Sequence, residues 1–125
     1  MKYLCLVYFE EKNLDSLPKG AFDALVGECI GCDEALRQSG HSIAAEALQP
    51  VRTATTVRVR DGKVTATDGP FAETKEQLGG FYLIEARDLN EALEAAAKIP
   101  GGRLGCIEVR PIWDLRQQEP RSGRP

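Results

Sequence analysis

The sequence predicts an α+β fold: a ferredoxin-like split βαβ unit with an added β-hairpin, an antiparallel sheet, and two helices on one face of that sheet. Three observations lead there. Strand-like and helix-like hydrophobic periods alternate along the chain in the order β-α-β-hairpin-β-α-β. The first strand, residues 3–9, is apolar at odd and even positions alike, as in a sheet covered on both faces. Asp61-Gly62 stands between two β-rich runs and is a strong signal for a two-residue hairpin turn.

In the first strand Tyr3, Cys5, Val7 and Phe9 face one way, and Leu4, Leu6 and Tyr8 the other. A helix follows. Asp15 or Ser16 is placed to cap it, Pro18 suits its first turn, and Gly40 stops it. Phe22, Leu25, Val26, Cys29, Ile30 and Leu36 recur at helical spacing as one apolar stripe. The opposite side, with Gly20, Ala24, Gly27, Gly31 and Ala35, reads as a solvent face rather than a close approach to another element. Residues 42–48 predict a second strand, 53–60 and 63–67 the hairpin, 68–79 a loop, and 80–86 a further strand. Asp88-Leu89-Asn90-Glu91 opens the second helix as a capping box, and Leu89, Ala92, Leu93, Ala96 and Ile99 are its expected buried face. Pro100-Gly101-Gly102 ends it, and residues 106–112 predict the last strand. The domain is expected over residues 1–115, with a loose polar tail over 116–125.

Two helices cover only one face of such a sheet. The doubly apolar first strand and the Phe81–Ile84 run leave a second apolar face, which sheet-to-sheet homodimerisation would hide.

With 125 residues, 42% hydrophobic and 28% charged, the chain has the composition of a single globular domain. Its net charge is -3, and no stretch gathers Lys or Arg with interleaved aromatics, which argues against nucleic acid or an anionic membrane as partner. No apolar run approaches the ~20 residues that span a bilayer. The apolar start ends at Glu10-Glu11 without a small-residue cleavage site, so it reads as a strand and the expected location is cytoplasmic. Four cysteines are too sparse for a disulfide-built scaffold and are expected as free thiols.

The loop Asp68-Gly69-Pro70-Phe71-Ala72-Glu73-Thr74-Lys75-Glu76, followed by Gly79-Gly80-Phe81-Tyr82, resembles the signature of the DGPF-domain, YCII-related family. Ala54-Thr55-Thr56-Val57-Arg58 and Glu108-Val109-Arg110-Pro111 match that family too, so the resemblance spans about residues 1–114. It implies a dimeric α+β barrel, in agreement with the paired sheets. The activity it implies is largely undefined: some relatives in the wider group are small enzymes, and DGPF proteins are linked with extracytoplasmic-function sigma factors.

Physically, Gly69 can take angles other residues avoid, Pro70 fixes the next step, Asp68 can bond its own loop backbone, and Phe71 can plug the core or roof a pocket. The loop is therefore either a rigid corner or a pocket wall. As a wall it offers Asp68 and Glu73 as carboxylates and Gly69, Pro70, Phe71 and Lys75 as ligand contacts. His41 is the single histidine, so neutral-pH proton transfer by imidazole falls to it. Its other reading is a cation at a helix end, favoured by the helix dipole. The YCII branch has a suspected histidine–aspartate acid/base pair, with the histidine near the start of the first helix. This chain has Lys19-Gly20-Ala21-Phe22 there, so His41 with Asp68 is the substitute pair.

Cys29-Ile30-Gly31-Cys32 is a CxxC, but late in a helix, where no N-terminal dipole lowers a thiol pKa. Cys5 and Cys106, on neighbouring strands, are expected as core thiols. With no Gly-rich phosphate loop, HExxH or GxSxG, no cofactor or metal is expected. Two functions stand against each other. One is a small-molecule enzyme or binder with an acid/base pocket near the loop. The other is an accessory interaction protein acting with a sigma factor.

Overall fold

The order of elements is β1 (Lys2–Phe9), α1 (Glu11–Asp15), α2 (Lys19–Gln38), β2 (Ser42–Ala47), β3 (Thr55–Arg60), β4 (Lys63–Asp68), β5 (Gln77–Glu85), α3 (Leu89–Ala96) and β6 (Gly105–Pro111). Short 3-10 turns lie at Val51–Thr53, Pro100–Arg103 and Leu115–Gln117. The structure is a computed structural model describing residues 1–117, 120 and 121, so most of the expected tail (118, 119 and 122–125) lies outside the described residues. One antiparallel sheet has the order β2-β5-β1-β6, and β3 and β4 form a separate two-stranded unit. Each helical crossover thus skips one strand, which is the split βαβ arrangement with the hairpin added between β2 and β5.

β1 is central because both of its faces are apolar. On one face Tyr3 pairs with Ile84 and Cys5 with Tyr82, while Cys5 and Val7 face Val109 and Ile107 of β6. These positions join Leu36 of α2, Ala92, Ala95 and Ala96 of α3, and Ile99 in one core, where Tyr3, Cys5 and Ile84 are fully buried. Fully burying a side chain of Ile or Leu size contributes about 1.5–3 kcal/mol. On the other face Leu4 pairs with Leu83, Leu6 with Phe81 and, past a bulge between Val7 and Tyr8, Tyr8 with Leu78. These six are only half-buried.

Several local expectations change. Asp15 and Ser16 do not cap the long helix. Residues 11–15 form their own short helix, and Pro18 holds the N-cap position of α2, its carbonyl accepting from Phe22 N–H at 2.9 Å. The apolar stripe of α2 splits: Leu36 is buried, Leu25 and Cys29 are half-buried, and Phe22, Val26 and Ile30 are exposed. The stripe is wider than the strip of helix the sheet can cover. Gly20, Gly27 and Gly31 meet open space, so that side is a solvent face. In α3 the alanines, not Leu89 and Leu93, face the core. Small side chains let this short helix approach the sheet closely and push its leucines to the flanks.

The hairpin turn has both central residues at positive φ, 51° for Asp61 and 75° for Gly62, the conformation that matches strand twist. Among the described residues no helix is long and apolar enough to cross a membrane.

Candidate functional site

The chain leaves α2 through Ser39 and Gly40, and His41 is tied down at once. Its N–H donates to Leu36 O at 2.8 Å, and its carbonyl accepts from Glu85 N–H at 2.7 Å. The imidazole is thereby held beside the N-terminus of α3, at the end of β5. Both ring nitrogens are engaged: Nδ1 lies 2.7 Å from Ser39 Oγ, and Nε2 lies 3.2 Å from Glu91 Oε1.

Glu91 is itself fixed. Asp88 caps α3 by accepting from Glu91 N–H at 2.9 Å, while the Glu91 carboxylate accepts from the Arg87 guanidinium and from Arg87 N–H. The Arg87 guanidinium first, then its N–H and His41, hold the Glu91 carboxyl below its usual range and outweigh the opposing desolvation. An ionised Glu91 places a proton on His41 Nε2. In the neutral ring Nδ1 is then an acceptor, and the Ser39 hydroxyl donates to it. The hydroxyl proton has a second acceptor, Leu36 O, at 3.1 Å. The short contact to Nδ1 makes a hydroxyl–imidazole–carboxylate chain whose side chains come from the end of α2, the start of β2 and the first turn of α3.

Ser39 also borders a groove of about 340 Å³ between α2 and the Lys98–Arg103 segment, whose wall includes Glu28, Cys32, Leu36, Lys98 and Arg103. Arg103 pairs with Glu28 at 2.6 Å across it. Among the described residues Lys98 forms no ion pair. Next to Cys32 on α2, desolvation works against the charge of Asp33. Hydrogen bonds from Ser42 (2.7 Å) and Arg37 (2.9 Å) outweigh it and keep that carboxyl below its usual range.

The Asp68–Lys75 loop lies elsewhere. Asp68 ends β4 opposite Thr55, exposed, and its carboxylate makes no hydrogen bond among the described residues. Gly69, at φ 98°, turns the chain in the left-handed region that favours glycine. Its N–H donates to Ala54 O at 2.7 Å and its carbonyl accepts from Thr56 Oγ at 2.8 Å, closing the base of the hairpin. Pro70 is half-buried, Glu73 is exposed, and Phe71 is 78% exposed rather than plugging a core. Lys75 lies 3.9 Å from Glu10. This loop enters β5 at Gln77, whereas His41 bonds the far end of β5 at Glu85. β5 has nine residues from one end to the other, roughly 27 Å. Within one chain His41 and Asp68 are therefore not brought together.

The cysteines occupy three environments. Burial pushes the Cys5 thiol up to about 11. Burial also raises Cys29 and Cys32, which are half-buried on α2, and Cys32 Sγ donates to Lys98 O at 3.4 Å. None of these is the activated thiolate that redox work needs. Cys106 is exposed on β6, opposite Tyr8, and is not the core thiol expected. Among the described residues no three His, Cys, Asp or Glu side chains are grouped to hold a metal.

Sequence reasoning singled out His41 but missed both of its partners. Ser39 sits two residues away and was legible as a local hydroxyl. Glu91 completes the capping-box pattern in sequence, and its side chain reaches past the N-cap to Arg87 and His41.

The family model for the YCII-related domain matches residues 1–116, which takes in β1–β6, the His41 network and the Asp68–Lys75 loop. A protein of Rhizobium meliloti (strain 1021), described only as uncharacterized, is 34% identical over 114 residues, covering 90% of this chain and 92% of the relative. Sheet order, loop signature and near full-length coverage agree, and the chain belongs to the YCII-related domain family.

Proposed function

We propose that this protein is a small-molecule enzyme or binder whose acid/base centre is His41, oriented by Glu91 and opening through Ser39 onto the groove beside α2. The observation that carries this is the engagement of both ring nitrogens, with a carboxylate on one side and a hydroxyl on the other. Glu91 holds the Nε2 proton and stabilises the imidazolium that forms when Nδ1 takes a proton. That proton comes from the Ser39 hydroxyl or from a substrate O–H in its place, and it returns along the same path. Lys98 and Arg103 in the groove favour a substrate bearing a carboxylate or phosphate. The Asp68–Lys75 loop serves here as the corner that anchors the hairpin.

A single histidine gives one set of imidazole resonances, so the test is direct. A panel of small carboxylates and phosphate esters should include compounds that move the His41 resonances and raise the melting temperature. His41→Gln should abolish turnover of such a compound, and Ser39→Ala should slow it, while the fold persists. If no member of the panel perturbs His41, the reading fails.

The same reading includes a homodimer, in the cytoplasm, that covers the half-buried face of Leu4, Leu6, Tyr8, Leu78, Phe81 and Leu83 with the same face of a second copy. A second reading, an accessory protein acting with a sigma factor, is favoured by the exposed Phe22, Val26 and Ile30 stripe of α2. Phe22→Ser with Ile30→Ser would break such a partnership and leave the His41 site untouched.

A further inference from the structure

The β3–β4 hairpin is an amphipathic arm with nothing to lie on. Its register puts Val57 opposite Ala66 and Val59 opposite Val64 on one face. The other face carries Thr56 with Thr67, Arg58 with Thr65, and Arg60 with Lys63. Such clean alternation belongs to a sheet with one covered face. Yet Val57, Val59 and Val64 are 61%, 57% and 70% exposed, and among the described residues no other element packs on β3 or β4 beyond isolated contacts. A lone two-stranded hairpin is at best marginally stable in water. This one is fixed at both ends, by the Asp61-Gly62 turn and by the Gly69–Ala54 and Thr56–Gly69 bonds at its base.

We infer that the valine face of each hairpin packs on a second copy of this chain, so that the two hairpins are arms clasping the dimer. The inference rests on the sheet-to-sheet dimer proposed above, and area favours it. Four strands of this length present a footprint of about 430 Å² per copy, so two sheet faces alone hide about 900 Å². A specific interface needs about 1,200 Å² or more. Each arm adds a footprint of about 200 Å² and hides as much on the partner, which brings the total to about 1,700 Å², the standard size. In the proposed dimer a single two-fold operator relates the sheet seam and the two arm contacts.

Sedimentation of the full chain across concentrations separates the arm from the seam. The wild type should be a dimer, and Val59→Asp with Val64→Asp should weaken dimerisation by about a hundredfold or more, since two buried valines are lost from each arm. Arg58→Ser, on the other hairpin face, should change nothing. If the Val59 and Val64 double variant dimerises as tightly as the wild type, the arm is refuted while the sheet seam stands. A wild-type monomer at high concentration would refute the seam and the arm with it. Amide exchange gives an independent readout should the aspartates unfold the hairpin. In the wild type, exchange in residues 55–68 should slow as concentration rises through the dimer transition, and exchange that ignores concentration would overturn the inference.

Discussion

The two faces of β1 show the same strand meeting two fates. Tyr3, Cys5 and Val7 are sealed by α2 and α3, and the thiol there is driven far from ionisation. Leu4, Leu6 and Tyr8, one residue out of phase, stay half-buried. Apolar sequence on both faces therefore does not mean that one chain buries both. The helix face makes the protomer; the open face is available to assembly.

Each contrast can be broken. The largest effect should come from the sealed face: Ile84→Ala removes a fully buried side chain and should cost about 2–5 kcal/mol, a fall in melting temperature on the order of 10 °C. Leu6→Asp on the open face should cost the single chain only about 1 kcal/mol yet abolish the proposed dimer by sedimentation. Equal loss of protomer stability in both variants would erase the distinction between the faces.

A smaller effect is expected at the Glu91 network. The folded carboxyl titrates below its unfolded value, so its contribution is present above the ordinary glutamate value of 4.5 and is lost as pH falls through the lower folded value. Glu91→Gln should therefore lower the melting temperature at pH 7, with the two curves converging on acidification. A gap that stays constant with pH would mean that Glu91 acts by shape alone. The smallest effect, on stability none, concerns the thiols. At pH 8 a thiol reagent should label exposed Cys106 first and Cys5 only on unfolding. Fast labelling at Cys5 would show that the sealed face opens.

Much of the fold was legible because local chemistry and tertiary demand agree. Asp61-Gly62 gives its turn, and Asp88 caps α3 as the capping pattern requires. What was illegible depends on which part of a face another element covers. Leu93 and Ala95 both suit an apolar helix face, and only the spacing between α3 and the sheet decides for the alanine. α1 is too short to show a period. At the candidate site a lone histidine is conspicuous in sequence. Its carboxylate lies fifty residues away, brought near by the β2–β5 pairing and the short turn into α3. The Asp68 loop is the opposite case: a dense motif that stands out in sequence holds the base of a hairpin and leaves Asp68 and Glu73 exposed.

The cationic side of that hairpin has its own consequence. Both hairpin strands have a free edge, and a free edge beside exposed valines is a template for further strands. Arg58, Arg60 and Lys63 set like charges along it and repel an incoming copy. That protection is electrostatic, and at 1 M salt the screening length falls to about 3 Å. At a fixed protein concentration, fibrous aggregation should therefore rise with salt, and Arg58→Ser with Arg60→Ser should bring it on at low salt.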